Sequence, residues 1–278
     1  MKHRLFVPRK SRPNAFHPLI VALHGCTQNA TDFAAGTQLD SGAERYNAMV
    51  VYPEQSARAN PQRCWNWFLP EHQSRYGGEP AAVIALVDEL SRRHNVDRSR
   101  VFVVGLSAGA ALAAILAEQA PDVFAGVGMV AGVPLHASHD VPTAFRVMRG
   151  RRSPDVAALR HVEQRESRHG YGRMRVAIWA GSRDETVAPE NAGRLAEQFA
   201  LLLGLRDTAP VVEPLGDGTV TRWADASGAM RIELRMVAGL GHAWSGGSFR
   251  GSHTAPTAPN ATDAMLEFFM PAAAVTNG

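Results

Sequence analysis

An α/β fold, built on an open and mostly parallel sheet with helices on both faces, is the class this sequence predicts. Two observations carry that expectation. Short β-branched apolar runs recur along the chain and alternate with segments of helical periodicity. The runs are nearly continuous in apolar residues, as strands covered on both faces must be.

The predicted strands are 18–24 (PLIVALH), 49–52 (MVVY), 101–106 (VFVVGL), 126–131 (GVGMVA), 174–180 (MRVAIWA) and 231–237 (RIELRMV). Helices are expected between them. Residues 80–93 place Val83, Val87 and Leu90 on one face and end in Arg92 and Arg93, where positive charge suits the helix dipole. Residues 108–120 are rich in alanine and leucine and stop at Pro121. Residues 189–203 start at Pro189 and turn Leu195, Phe199 and Leu202 inward, and 261–270 follow Asn260, a good N-cap. The pair 211–215 and 220–225, split by Gly216-Asp217-Gly218-Thr219, reads as a hairpin at the sheet edge.

No internal repeat and no Pro/Ser/Thr-rich linker divides the chain, so residues 1–278 are expected to form a single catalytic domain, without a separate substrate-binding domain. The polar, Arg-rich stretch 134–173 lies between two predicted strands and is the expected insertion or lid. Hydrophobic residues are 45% of the chain and charged residues 20%, which suits a soluble protein with a large core. No apolar run approaches the ~18 residues of a membrane span. The net charge of +3 comes largely from arginines between Arg146 and Arg175 and lacks the dense basic face that nucleic-acid binding requires. Residues Met1 to Pro8 carry charge and no apolar segment, so no signal peptide is expected in this chain.

The chemistry concentrates in a few places. Gly105-Leu106-Ser107-Ala108-Gly109 follows a predicted strand and opens a predicted helix, the context of a nucleophile elbow. Small neighbours permit the sharp turn that lifts the Ser107 side chain above the sheet. The alternative is an ordinary helix-capping serine. A serine hydroxyl needs a base. Of eleven histidines, His242 in Gly239-Leu240-Gly241-His242-Ala243-Trp244 lies just past the last predicted strand, on a loop that glycines free to turn. The orienting acid belongs between the two, after a strand, and Asp184 fits. Glu185, Asp207, Asp217 and Asp225 are also in range. The oxyanion of a tetrahedral intermediate would be held by the N–H of Ala108 and by a second N–H from His24-Gly25-Cys26-Thr27-Gln28, with Cys26 the first choice. His24 is expected to hold its loop by hydrogen bonds. Cys64-Trp65-Asn66-Trp67-Phe68 is either a packed aromatic cluster or the wall of an acyl pocket formed by Trp65 or Trp67, and Trp244 is a further candidate for the site. The two cysteines, Cys26 and Cys64, permit one disulfide, and a buried free thiol is the default reading. No metal-ligand cluster is present, so no metal and no organic cofactor is expected.

Five segments together resemble the polyhydroxybutyrate depolymerase-type esterases, grouped with feruloyl and acetylxylan esterases in the α/β-hydrolase superfamily. They are Leu23 to Gln28, Cys64 to Phe68, Gly105 to Gly109, Gly181 to Val187 and Gly241 to Gly247, in order over nearly the whole chain. The resemblance implies Ser107, Asp184 and His242 as a catalytic triad and Cys26 and Ala108 as the oxyanion hole. It also implies a Cys26–Cys64 disulfide, and with it a secreted or periplasmic setting. Ala110 and Ala180 stand where the family commonly has glycine and histidine, and neither change touches a proposed catalytic atom. The expected substrates are small or oligomeric esters, short hydroxyalkanoate oligomers first. Feruloyl or acetylxylan side groups are the alternative. An acyltransferase and a non-catalytic scaffold of the same fold are more distant ones.

Overall fold

The structure, a computed structural model, describes residues 1–9, 15–151, 171–216 and 218–271. In chain order the strands are β1 His3–Phe6, β2 His17–Leu23, β3 Met49–Pro53, β4 Val96–Leu106, β5 Gly126–Val130, β6 Arg175–Gly181, β7 Val211–Leu215, β8 Gly218–Ala224 and β9 Met230–Val237, with the short pair β10 Trp244–Ser245 and β11 Thr254–Ala255. The helices are α1 Ala30–Thr37, α2 Leu39–Arg45, α3 Gly78–Arg93, α4 Ala108–Gln119, α5 Val141–Met148, α6 Glu190–Leu202 and α7 Ala261–Phe269.

The main sheet runs β1-β3-β2-β4-β5-β6-β9-β8-β7. From β3 to β9 every neighbouring pair is parallel. Antiparallel strands close both edges, β1 on one side and the β7–β8 hairpin on the other. The parallel strands β2, β3 and β5 are buried along their whole length, which explains their unbroken apolar sequence. Edge strand β7 is exposed throughout, and Pro214 removes one ladder donor from it.

Alternation along β4 assigns the two faces. Phe102 stacks on Phe269 of α7 at 5.1 Å. Gly105, odd in the alternation, lies instead against Gly109 of α4. Helix α2 shares the α7 side, where Gly42 abuts Leu266 and Thr262. Helix α6 shares the α4 side: Gly132, just past β5, sits between Leu195 of α6 and Ala110 of α4. The result is the predicted three-layer α/β arrangement, with the strand C-termini converging at one end.

Several expectations need adjustment. The hairpin's second strand begins at Gly218, two residues before the predicted start, while Asp217 lies outside the described residues. Strand β1 and helices α1 and α2 had no counterpart in the sequence reading. Helix α1 is capped by Asn29, whose side chain accepts from the N–H groups of Thr31 and Asp32. Within the predicted insertion 134–173, residues 152–170 lie outside the described residues. The described part holds α5, closed by a capping box between Asp140 and Thr143.

Two glycines give opposite expectations for one kind of substitution. A Cβ on Gly109 would overlap the carbonyl oxygens of Leu23 and His24, which are backbone and cannot step aside cheaply. Gly109→Ala is expected to lower stability by about 3 kcal/mol or more. A Cβ on Gly193 in α6 meets nothing within 4 Å, and Gly193→Ala is expected to raise stability by about 0.5 kcal/mol. Urea unfolding midpoints measure both. Equal behaviour of the two variants would contradict the close backbone packing at Gly109.

Candidate active site

Ser107 stands between β4 and α4 with φ 57° and ψ −118°, a conformation L-residues rarely adopt. Its own N–H donates to Val130 O at 2.9 Å, and its carbonyl accepts from Ala111 N–H at 3.0 Å. The turn needs small flanks. A Cβ on Gly105 would overlap the backbone of Gly109, so strand and helix meet with nothing between them. This geometry points the Ser107 side chain into a cavity of about 480 Å³ at the strand C-termini.

His242 lines the same cavity. Its Nδ1 lies 2.8 Å from Asp184 Oδ2. The other carboxylate oxygen of Asp184 accepts from the N–H groups of Thr186 and Val187 at 2.9 and 2.8 Å. Asp184 is buried, and with His242 Nδ1–H donating to its carboxylate, Nε2 is the ring nitrogen that the acid does not engage. The loops carrying the pair are zipped together. Ser182 N–H donates to Val237 O at 2.9 Å, Arg183 N–H to Leu240 O at 3.0 Å, and Gly239 N–H to Ser182 Oγ at 2.9 Å. Gly181 is required there, because a Cβ would overlap the Leu240 carbonyl. The competing acids lie elsewhere. Asp225 folds onto Ser227 in a turn, and Glu185 and Asp207 point into solvent.

Cys26 and Ala108 both border the cavity. Among the described residues, neither backbone N–H donates to a protein acceptor. The loop bearing Cys26 is held from two sides. Thr27 N–H donates to Gln62 O at 2.6 Å, and a disulfide joins Cys26 to Cys64 with 4.2 Å between Cα atoms. The bond ties the loop to the aromatic segment, as the resemblance implied. His24 is buried. Its Nδ1–H donates to Gly25 O at 2.7 Å and its Nε2 accepts from Gln55 N–H at 3.1 Å, a pair of roles only neutral imidazole can fill. Burial holds its pKa below the usual range. It works as loop scaffolding.

The tryptophans divide. Trp67 lines the cavity, edge-on to Phe68 at 5.7 Å. Trp65 does not reach it. Its ring is wholly buried and its Nε1–H donates to His24 O at 3.0 Å. Trp244 is also wholly buried, packed edge-on against Phe33 at 5.5 Å with Nε1–H donating to Thr262 Oγ1 at 3.1 Å. Both are corrected from cavity wall to core: each indole found a buried acceptor away from the site. The Trp65 segment is fixed from below by Glu79, which accepts from Asn66 N–H and Asn66 Nδ2, each at 2.8 Å. Burial pushes the Glu79 carboxyl up from its ordinary pKa.

The sequence reading missed much of the opposite wall. Helix α5 contributes Val141, Ala144, Phe145 and Met148, and Val187 and Val133 join them. A capping box followed by apolar residues at Val141, Phe145 and Met148 was the available signal. The surface of the cavity is therefore chiefly apolar, with polar groups confined to Ser107, His242 and a few rim residues such as His253. Among the described residues, no three His, Cys, Asp or Glu side chains are grouped to hold a metal ion, and no helix is long and apolar enough to cross a membrane.

Similarity to known proteins points the same way. Residues 2–214 match the family described as Esterase PHB depolymerase. Poly(3-hydroxyalkanoate) depolymerase C of Paucimonas lemoignei is 36% identical over 241 residues, which are 85% of this chain and 56% of that protein. Feruloyl esterase B of Neurospora crassa is 29% identical over 266 residues, 90% of this chain and 82% of that protein. The chain spans about half the length of the depolymerases it matches. In fold it is similar to an acetyl xylan esterase from Aspergillus awamori, with a TM-score of 0.77 at 23% identity, covering 96% of this chain and 93% of the other.

The disulfide closes a loop of 38 residues in sequence. The double variant Cys26→Ser/Cys64→Ser is expected to lose about 2–4 kcal/mol of stability. Guanidinium unfolding of the oxidised protein, the reduced protein and the variant measures this. An oxidised protein no more stable than the other two would contradict a structural role for the bond.

Proposed function

Because the chain belongs to the esterase PHB depolymerase family, we propose that it is a carboxylic ester hydrolase that works through a serine acyl-enzyme. The observation that carries this reading is the 2.8 Å contact from His242 Nδ1 to Asp184, opening on the cavity that receives Ser107. Ser107 Oγ attacks the ester carbonyl carbon while His242 Nε2 takes the hydroxyl proton. Asp184 keeps the ring in the tautomer with Nδ1–H and stabilises the imidazolium. The N–H groups of Cys26 and Ala108 receive the oxyanion. Collapse of the tetrahedral intermediate breaks the bond to the alcohol oxygen, which leaves with the proton from Nε2. Water, deprotonated by the same nitrogen, then cleaves the acyl-enzyme and frees the acid.

Short hydroxyalkanoate oligomers are the proposed substrates. The apolar cavity of about 480 Å³ suits an aliphatic acyl unit, and the relative named a poly(3-hydroxyalkanoate) depolymerase is 36% identical. A feruloyl or acetylxylan ester is the second reading. It is favoured by the relatives with those names, of which the chain covers 79% and 82%. We also propose one catalytic domain in which α5 forms a lid wall, since Val141 and Phe145 border the cavity while staying half exposed. The Cys26–Cys64 bond supports an oxidising compartment, secreted or periplasmic.

Steady-state kinetics on p-nitrophenyl esters, hydroxybutyrate trimer and methyl ferulate test the proposal. Ser107→Ala is expected to lower kcat/KM by at least about 10³-fold on every substrate the wild type cleaves. Preference for the trimer supports the polyester reading, and preference for methyl ferulate replaces it with the second. A folded wild type that cleaves none of them overturns the hydrolase.

A further inference from the structure

Gln28 lies outside the cavity and touches none of the reacting groups, yet its amide joins two parts of the site that are far apart in sequence. It is 2% exposed. Its Oε1 accepts the Gly25 N–H at 2.9 Å. Its Nε2 donates to Asp32 Oδ2 at 2.8 Å, and Ser252 O and Ser252 Oγ lie within reach of the same nitrogen at 3.1 and 3.2 Å. The orientation of the amide is determined by these partners. A flipped amide would set its NH₂ against the Gly25 N–H and its oxygen against a carboxylate.

Ser252 completes the connection. Its N–H donates to Asp32 Oδ1 at 2.9 Å and its Oγ–H to Asp32 Oδ2 at 2.6 Å. Burial alone would push the Asp32 carboxyl up, but the bonds from Ser252 and Gln28 outweigh it and hold the pKa below the usual range, so the acceptor stays ionised. The next residue, His253, accepts the Trp244 N–H at 2.7 Å, where β11 begins its pairing with β10. Trp244 is two residues past His242. One end of the Gln28 amide therefore holds the residue before Cys26, and the other holds Asp32 and Ser252, the latter two residues before the start of β11.

We propose that Gln28 is a positioning residue, which with Asp32 and Ser252 sets the Cys26 N–H and the His242 loop in one fixed relation around the reacting carbon. Glycine at position 25 belongs to the device, since a Cβ there would crowd Gln28 Oε1 at 3.2 Å. This assignment rests on the hydrolase reading, because it supposes that Cys26 N–H serves an oxyanion. Its effect should appear in the transition state and leave ground-state binding of the acyl group, made by the apolar wall, nearly unchanged.

The test compares wild type, Gln28→Leu and Ser252→Ala on p-nitrophenyl acetate, with phenylboronic acid as a tetrahedral inhibitor and thermal unfolding as the control for folding. Gln28→Leu is expected to lower kcat about 100-fold with KM within about twofold, and to raise the boronate Ki by a similar factor as kcat falls. Ser252→Ala, on the surface and without effect on the Gly25 contact, is expected to lower kcat about 10-fold. It decides the matter if Gln28→Leu does not fold. Wild-type kcat in both variants, alongside hydrolysis that still needs Ser107, overturns this proposal alone. So does a loss in which KM rises with the fall in kcat and the boronate Ki does not move. A wild type inert on the ester overturns the hydrolase reading and this one with it.

Discussion

Three pieces of backbone touch without side chains between them at the centre of this fold, and the site depends on that contact. The end of β2, the end of β4 and the first turn of α4 meet where Gly105 faces Gly109 and Gly109 faces the carbonyls of Leu23 and His24. Any larger residue at either glycine would push the helix from the sheet. Because α4 starts this close, Ser107 must turn through a strained conformation, and its side chain leaves toward the strand C-termini. The same contact brings the loop after β2 beside the N-terminus of α4. That is how Cys26 and Ala108, 82 positions apart in number, come to border one cavity with their N–H groups unspent.

The rest of the site is assembled around this point by tying loops together. The loops of Asp184 and His242 are joined backbone to backbone at Gly181 and Leu240, so the Asp184–His242 bond does not depend on long, mobile side chains. The loop of Cys26 is fastened on one side by the disulfide to Cys64 and on the other by the Gln28 amide. Buried polar groups under these loops, His24, Gln55, Asn66 and Glu79, are hydrogen-bonded to one another or to backbone. Such a network costs little when each member is satisfied and specifies one arrangement of the loops. Preorganisation of this sort suits a reaction in which charge appears on an oxygen for a moment and must find its donors already in place.

The parts legible in the sequence are those with a local cause. Continuous apolar runs identified the parallel strands, because burial on both faces leaves no polar position to hide them. Ser107, Asp184 and His242, of which the structure sets the first and last on one cavity and bonds the second to the third, were singled out by glycine-containing turns after strands: Gly105 and Gly109 around Ser107, Gly181 before Asp184, Gly239 and Gly241 before His242. What escaped depends on distant partners. Helix α2 is short and contains Gly42, a poor helix former that is tolerated because Leu266 packs where its Cβ would be. Strand β1 has four half-buried residues and exists through its pairing with β3. Trp65 and Trp244 have the composition of a binding wall, yet each indole donates to a buried acceptor 41 and 18 positions away. Helix α5 shows an amphipathic pattern, but which surface it covers is settled only by the tertiary fold.

The central claim is that Ser107 is a nucleophile made reactive by the Asp184–His242 pair. The most direct measurement is stoichiometric labelling with a fluorophosphonate, in which the serine oxygen displaces fluoride from phosphorus, followed by intact mass and peptide mapping. The account predicts one label per chain, carried on Ser107, with a labelling rate that falls by orders of magnitude in Asp184→Ala and His242→Ala. Ester hydrolysis that persists while Ser107 stays unlabelled, or a label that settles on another serine, would contradict it.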